Sequence, residues 1–394
     1  MISFKEAQEI VLSYARSFGK EKILLDDSLG RVLAEQIIAD RDYPPFNRAM
    51  MDGYAIKFSD WKNNVRAFTI VETIYAGKFF DKKINEGECY KIMTGASVPF
   101  YADVIIRRED ADENGNKVQF NNISISSGQN IAAKGQDLKS RELICSESLI
   151  IDTATIALLA SVGKYEVMVE CLPKVAIITT GDEVVSVGSS VADVQIRNSN
   201  SHLLKALLKK RNIVPISCHH IADDKNKLEE AVSKVIHADI IILNGGVSAG
   251  DADYVPEILK KLGAKEIFHK VAIKPGKPIW FGKFENGATV FALPGNPFSC
   301  MVTFELFIRS YLHKCFDLSG PKEMILPVCG SRQKKSSLDE FFPVKISGHP
   351  ATLVPLHFNG SGDITAAMGA DGIAQHPADS LVLQENDLVI CKLL

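Results

Sequence analysis

The sequence predicts a multidomain α/β protein. A doubly wound parallel-sheet unit is preceded by helices and a β-rich module and followed by a small β domain. Three observations lead there. Asp239 is followed by the apolar run Ile240-Ile241-Ile242-Leu243 and then by Asn244-Gly245-Gly246-Val247-Ser248-Ala249-Gly250-Asp251-Ala252-Asp253. An unbroken, β-branched run of this length suits a strand buried on both faces of a parallel sheet. After Lys174, strand-like runs alternate with helical ones, the rhythm of a doubly wound domain. From Phe68 to Ile125, and again beyond Gly320, the runs are short and split by glycine and asparagine turns, as in β modules.

With 394 residues the chain exceeds one typical core, so two to four domains are expected. Hydrophobic content of 46% and charged content of 24% are those of a water-soluble globular protein. The net charge of −3, without a basic block, excludes nucleic acid as the expected partner. No apolar run approaches the roughly 18 residues of a membrane span, and the N-terminus has no signal-peptide pattern. The eight cysteines are scattered without a CxxC pair, which argues against zinc and suits reduced thiols in the cytoplasm.

In chain order, Phe4, Ala7, Ile10, Val11 and Tyr14 fall at helical spacing, so Ser3 to Ser17 reads as an amphipathic helix. Ser3 with Glu6 forms its capping box. A second helix is expected over Ser28 to Ile38. Asp42 to Ala55, with Pro44, Pro45 and Gly53, reads as a fixed irregular loop of the kind that makes a binding edge. Phe68–Val71, Cys89–Met93 and Val104–Ile106 read as strands, and Met93 to Pro99 holds a Gly/Thr turn. Thr153 to Val162 reads as a helix. Val175–Ile178 is a strand followed by the turn Thr179 to Glu183, and Ser199 or Asn200 is expected to cap the next helix. Ile213–Ile216 reads as a strand, Leu228 to Ile236 as a helix, and Tyr254 onward as another, with Pro256 in its first turn. Val290–Leu293 reads as a strand, Phe298 to Tyr311 as an apolar helix and Asp387–Cys391 as the last strand.

The chemistry collects in loops after these strands, where open α/β sheets bind ligands. Glycines 245, 246 and 250 let backbone N–H groups approach an anion, and the helix start behind them adds a positive dipole end. The same loop also reads as an ordinary βα turn. Glu183, Asp223, Asp251 and Asp253 are hard carboxylates of the kind that share Mg²⁺ with phosphates. Asp223 reads equally as a helix cap. Lys270, Lys274 and Lys277 suit an oxyanion, although Lys270 alone also reads as a surface charge. Pro294-Gly295-Asn296-Pro297 starts a helix whatever else it does. Nothing suggests a nucleophile: no GxSxG is read in the chain, no Ser/His pair is placed by the motifs, and the dinucleotide fingerprint GxGxxG is absent.

These stretches resemble one family. Pro44-Pro45-Phe46 with Met51-Asp52-Gly53-Tyr54-Ala55, Ile92-Met93-Thr94-Gly95-Ala96, and Gly135 with Asp137 match in the first part. Thr180-Gly181-Asp182-Glu183, Ile196-Arg197 with Ser199-Asn200, Gly245-Gly246-Val247-Ser248 with Gly250-Asp251, and Asp253-Tyr254 match in the central part. Lys274-Pro275-Gly276-Lys277-Pro278 and Leu293-Pro294-Gly295-Asn296-Pro297 complete the set. Nearly the whole chain resembles the molybdopterin molybdenumtransferases of the bacterial MoeA type, similar to the E domain of gephyrin.

The resemblance implies four domains. They are a discontinuous helical linker domain (1–41 and 131–171), an inserted β domain (42–130), a MogA-like α/β domain (172–318) and a C-terminal β barrel (319–394). It implies a cytoplasmic homodimer that takes adenylylated molybdopterin, Mg²⁺ and molybdate as substrate, releases AMP, and meets the molybdopterin adenylyltransferase and molybdoenzyme chaperones. Catalytic roles would fall to Asp52, Thr94, Asp137, Glu183, Asp223, Asp253, Lys270 and Lys274. Substrate would meet Gly245, Gly246, Ser248, Gly250, Lys277, Pro278, Pro294, Gly295, Asn296, Pro297 and Ser299. Metal would meet Glu183, Asp223, Asp251 and Asp253.

The chain departs from the family pattern at Ala49-Met50, Ala132, Gln136 and Thr365-Ala366. Ser337-Leu338 stand where the family has Gly-Arg, and a second arginine after Glu340-Phe341 is also missing. Losing a charge-assisted partner predicts weakened molybdate binding. Two other classes stay in view: a non-catalytic molybdopterin-binding or scaffold protein, and a stand-alone adenylyltransferase. The acidic residues and the two lysines of Lys274–Pro278 favour the transferase over the first. The module carrying Asp52 and Thr94 argues against the second.

Overall fold

In the computed structural model, which describes residues 1–80, 82–121, 123–247 and 254–394, the chain has the multidomain α/β architecture that the sequence predicts. The first helix is Phe4–Ser13, and Ser3 Oγ accepts from the Glu6 N–H at 3.2 Å. Phe4, Ala7 and Val11 are buried, and the Phe4 ring lies edge-on to Phe307 and Phe341. The helix ends four residues earlier than Ser17, and the chain passes into the strand Lys20–Leu24.

The helix expected over Ser28 to Ile38 does not form. A 3-10 turn, Leu25–Asp27, and two short strands, Val32–Leu33 and Ile37–Ile38, stand there. Their partners lie more than a hundred residues on. Val32–Leu33 pairs with Leu149–Ile150, and Ile37–Ile38 pairs with Leu143–Cys145. Lys20–Leu24, Glu166–Glu170, Val32–Leu33 and Leu149–Ile150 form one four-stranded sheet, so two separated stretches build a single unit. The helix Thr153–Ser161 covers it, capped by Asp152, with Leu159 in a core of Leu33, Ile37, Val167 and Val169.

Between those stretches lies a six-stranded sheet in the order Val104–Arg107, Gly53–Ile56, Glu88–Ile92, Ala67–Ile74, Lys117–Phe120, Ala111–Asn114. Its two faces bury Tyr90 and Ile92 on one side and Tyr54, Phe68 and Phe120 on the other.

The central sheet runs Ser217–Ile221, Val175–Thr180, Ile240–Asn244, Thr289–Leu293, Trp280–Lys283, Lys265–His269. The first four strands are parallel, and Trp280–Lys283 runs antiparallel to Thr289–Leu293 on one side and to Lys265–His269 on the other. Side chains alternate between faces along each strand. Ile177, Ile240 and Ile242 therefore meet Leu204 and Leu208, while Ile178, Ile241 and Leu243 meet Val232 and Leu259. Two helix layers result, which is the doubly wound arrangement.

Ile213 to Ile216 is not a strand. Asn212 has a left-handed φ of 59°, Pro215 lacks an N–H, Val214 is 79% exposed, and the strand begins at Ser217. Helix Lys225–Val235 is capped by Asp224 and not by Asp223. Pro297–Thr303 continues through a π turn, Phe304–Ile308, into Arg309–Cys315. Glu305, buried within the π turn, pairs with Arg211 and Arg309.

Helix Ser199–Lys209 is capped by Asn198 and not by Ser199 or Asn200. Asn198 Oδ1 accepts from the Ser201 N–H at 3.0 Å, and its Nδ2 donates to Thr179 Oγ1 at 2.9 Å. Asn198→Ala is expected to cost about 1–2 kcal/mol in chemical denaturation, because it removes a cap and a bond to the sheet together.

Beyond Gly320, the strands Asp339–Ser347, Gly372–His376, Leu388–Leu393 and Glu323–Pro327 curl around Phe342, Val344, Leu353 and Val389. Ile273–Lys274 pairs in parallel with Asp339–Glu340. The Lys274–Pro278 segment is thereby tied to the C-terminal barrel.

Candidate active site

The carboxyl ends of the parallel strands open into a cavity of about 910 Å³. Glu183, Asp223, Gly245, Gly246, Pro278, Pro294, Gly295, Asn296 and Pro297 line it together. Residues from the loops after all four parallel strands thus meet at one edge of the sheet, joined by Pro278 from the segment before Trp280–Lys283. Helices Ser199–Lys209 and Pro297–Thr303 both begin at this wall, so two positive dipole ends face the same space.

Gly245 makes the close approach possible. Its φ is +95°, and a Cβ there would stand 2.7 Å from Thr180 Oγ1 and 2.9 Å from the Thr180 carbonyl oxygen. Gly246 also has a left-handed φ, +65°. Beneath the glycines lies a polar lattice. Asn200 Nδ2 donates to Asn244 Oδ1 at 2.8 Å and to the Gly295 carbonyl at 2.6 Å, and Asn244 Nδ2 donates to the Pro294 carbonyl at 2.7 Å. It locks the Gly245 and Pro294 loops side by side. Thr180 Oγ1 and Asn200 Oδ1 are buried without a partner among the described residues. Such atoms carry a desolvation cost that a bound polar molecule removes.

On the carboxylate side, the Asp223 N–H donates to Asp182 Oδ1 at 3.0 Å, which joins the loops after two neighbouring strands. The Glu183 carbonyl accepts from the Ile196 N–H at 2.8 Å. A loop from the C-terminal barrel overhangs the cavity. Gly362 and Ile364 line it, and Asn296 Nδ2 donates to Ser361 Oγ at 2.8 Å. Asp363 shapes that loop by accepting from the Asn359 and Thr365 N–H groups, bonds that hold its carboxyl below the usual range.

The remaining expected site residues stand elsewhere. Asp52 Oδ1 accepts from the Thr94 N–H and hydroxyl, both at 2.7 Å, and these bonds keep its carboxyl low. This pair and Asp137 are exposed in the first part of the chain and do not line the cavity. Lys274 and Lys277 are exposed on the segment beside Pro278, and Lys270, partly exposed, has a left-handed φ of 70°. Ser299 is 2% exposed inside the first helical turn. Ser248, Gly250, Asp251 and Asp253 lie outside the described residues. The expectation that no GxSxG occurs is wrong: Gly246-Val247-Ser248-Ala249-Gly250 has that spacing.

Behind Lys274 sits a buried charged cluster. Lys274 Nζ lies 3.2 Å from Glu340 Oε1, and Arg332 donates to Glu340 Oε2 at 2.8 Å and to His376 Nδ1 at 2.8 Å. Arginine can only donate, so His376 Nδ1 accepts. Burial raises the Glu340 carboxyl, but bonds from Arg332, Ser336 and Lys274 outweigh it and the net shift is downward. The C-terminal domain therefore supplies an arginine from an earlier strand, Arg332–Gln333, although the Gly-Arg motif is gone. No motif spacing signals it. Asn198, Asn200 and Asn244 also escaped selection as site residues, although the polar run around the helix start held the first two.

Comparison with known proteins agrees with this geometry. The profile described as "MoeA N-terminal region (domain I and II)" matches residues 2–163, and "Probable molybdopterin binding domain" matches residues 176–314. The chain is 34% identical over 393 residues to a molybdopterin molybdenumtransferase of Synechocystis sp., covering 98% of each. It is 33% identical over 388 residues to one of Staphylococcus aureus, covering 96% of this chain and 92% of the other. Two crystal structures of the molybdopterin biosynthesis MoeA protein of Pyrococcus horikoshii superpose with TM-scores of 0.84 and 0.80. Their identities are 27% and 29%, and they cover 100% of this chain and 100% and 99% of theirs. A matching fold over the full length and identity above 30% with the curated proteins place the chain in the molybdopterin molybdenumtransferase family, of the MoeA type.

Proposed function

We propose that this protein inserts molybdate into adenylylated molybdopterin with release of AMP, and that the reaction depends on Mg²⁺. The observation that carries this reading is the 910 Å³ cavity, where glycine loops, two helix starts and the carboxylates Glu183 and Asp223 converge. Its volume and polarity suit a pterin joined to a nucleotide. Gly245, Gly246 and Gly295 admit the phosphates close to backbone, and the helix starts stabilise their charge. Thr180 Oγ1 and Asn200 Oδ1 offer the bound molecule the hydrogen bonds they lack.

Among the described residues no three His, Cys, Asp or Glu side chains form a metal cluster. Two cavity carboxylates still fit Mg²⁺, which is commonly held by one or two carboxylates together with substrate phosphates. Glu183 and Asp223 would hold it, with Asp251 and Asp253 as further candidates. When bound it offsets phosphate charge and makes AMP a better leaving group. Lys274 and Lys277, which precede Pro278 in the chain, and Lys270 would receive molybdate beside the cavity, with Ser299 as a further candidate.

Asp52, Thr94 and Asp137 do not reach this cavity in their own chain, so we assign them to completing the partner copy's site in a homodimer. Sedimentation velocity at micromolar concentration is expected to show a dimer, and a monomer overturns that assignment. The defining experiment is to incubate purified protein with adenylylated molybdopterin, molybdate and Mg²⁺ and to follow AMP. Release that requires all three is expected. Tight pterin binding without AMP release would instead point to a binding or scaffold protein.

A further inference from the structure

A second cavity, of about 270 Å³, shares no residue with the first. It lies where three parts of the chain meet. Glu170 comes from the linker sheet and Arg31 from just before its strand Val32–Leu33, Arg309 and His313 from helix Arg309–Cys315, Arg211 from the turn after helix Ser199–Lys209, and Lys322 from the entry to the barrel. Val32, Leu172, Leu312 and Phe316 give it apolar walls.

Three nitrogens of its lining side chains are buried and have no partner among the described residues: Arg31 Nε, Arg309 Nε and His313 Nδ1. Arg31 is only 9% exposed. Its other end is already committed, to Glu21 at 2.6 Å and to the Glu170 carbonyl at 2.7 Å. Arg309 is committed to Glu305 at 2.9 Å and to the Leu393 carbonyl. Neither guanidinium can therefore turn its Nε to another protein acceptor without breaking an existing bond. A buried, charged N–H without an acceptor is costly and calls for one.

The charges point the same way. Arg31, Arg211 and Arg309 are paired with Glu21 and Glu305, and the wall adds Lys210 and Lys322 against Glu170, so these cations outnumber these carboxylates. His313 is pushed down to about 4, first by burial and then by Arg309 and Arg211, so it is neutral near pH 7. Cations that repel protonation of a histidine attract an anion.

We infer that this cavity is a binding site for a small aromatic anion, whose ring lies on Leu172, Leu312 and Phe316 and whose head group accepts from Arg31 and Arg309. Because its wall draws on three parts of the chain, an occupant also braces the linker sheet against the α/β unit.

The test uses the intact protein and two dyes of similar shape, 8-anilinonaphthalene-1-sulfonate and the uncharged N-phenyl-1-naphthylamine. One sulfonate per chain is expected, bound at least tenfold tighter than the neutral dye and not displaced by saturating AMP. The variant Lys210→Glu/Lys322→Glu changes only exposed side chains and should lose at least tenfold in sulfonate affinity while keeping its melting temperature. Arg31→Gln should lose sulfonate affinity as well, with a lowered melting temperature because its bonds to Glu21 and the Glu170 carbonyl are broken, and benzoate and phenyl phosphate as competitors then rank carboxylate against phosphate heads. Equal affinity for the two dyes, or unchanged affinity in the folded lysine variant, overturns the assignment. Displacement by AMP would move the dye to the active cavity and overturn it as well.

Discussion

Gly245→Val is expected to abolish AMP release, to below about 1% of the wild-type rate. The added Cβ would meet the Thr180 hydroxyl at 2.7 Å and the Thr180 carbonyl oxygen at 2.9 Å, and the backbone there is left-handed at +95°. A β-branched residue fits neither the space nor the conformation. The loop must leave the carboxyl end of the sheet, which pulls Gly246 and the start of helix Val255–Lys261 with it. Backbone strain and overpacking together should cost about 2–4 kcal/mol, read by denaturant titration. Gly295→Ala is the contrast. The nearest atom to its Cβ is Gly245 Cα at 3.7 Å, an ordinary contact, so that variant should keep wild-type stability. If Gly245→Val retains its rate, the glycine loop is a turn and not a phosphate cradle.

The second large effect is expected at Arg332. Its guanidinium lies on the Phe342 ring at 4.4 Å, holds Glu340 and donates to His376. Glu340 in turn is 3.2 Å from Lys274. Without Arg332, only Ser336 and Lys274 hold Glu340, and its charge more fully neutralises the lysine proposed to meet molybdate. Arg332 is thus a positioning residue that keeps the lysine electrostatically available. Losing a charged hydrogen bond is worth about 1.5–3 kcal/mol, or roughly ten- to a hundredfold in affinity. Arg332→Leu should therefore raise the molybdate concentration for half-maximal AMP release by about that factor. The affinity for adenylylated molybdopterin should barely change, and Arg332→Lys should recover part of the loss. Leu338→Arg, which restores the missing motif arginine, should change little, because a cation already serves Glu340. An unchanged molybdate requirement in Arg332→Leu, or a marked gain in Leu338→Arg, would return the molybdate site to the motif position.

The central domain was readable because its signals are local. Ile240–Asn244 is an apolar β-branched run, helix Ser199–Lys209 repeats leucine at helical spacing, and the glycines and prolines mark the loops at the carboxyl ends. The motif set, spread over nearly the full chain, was enough to identify the family and with it the multidomain fold. Local signals misled between Ser28 and Ile38, where a passable helical pattern is captured by strands from beyond residue 140. Strand pairing depends on a partner surface that a window of ten residues does not contain. The same holds for Ile213 to Ile216, where a β-like composition lost to Pro215 and a left-handed Asn212. By itself, then, the sequence determined the strand and helix periods of the α/β unit, the chemistry of its loops and the family. Only the tertiary structure decided that Arg332 stands behind Lys274, that a barrel loop covers the cavity, and that Arg31 and Arg309 share a second one. Each of these joins residues about 60 to 280 positions apart, and the hydrogen bonds and charges that settle them exist only once the chain has brought those positions together.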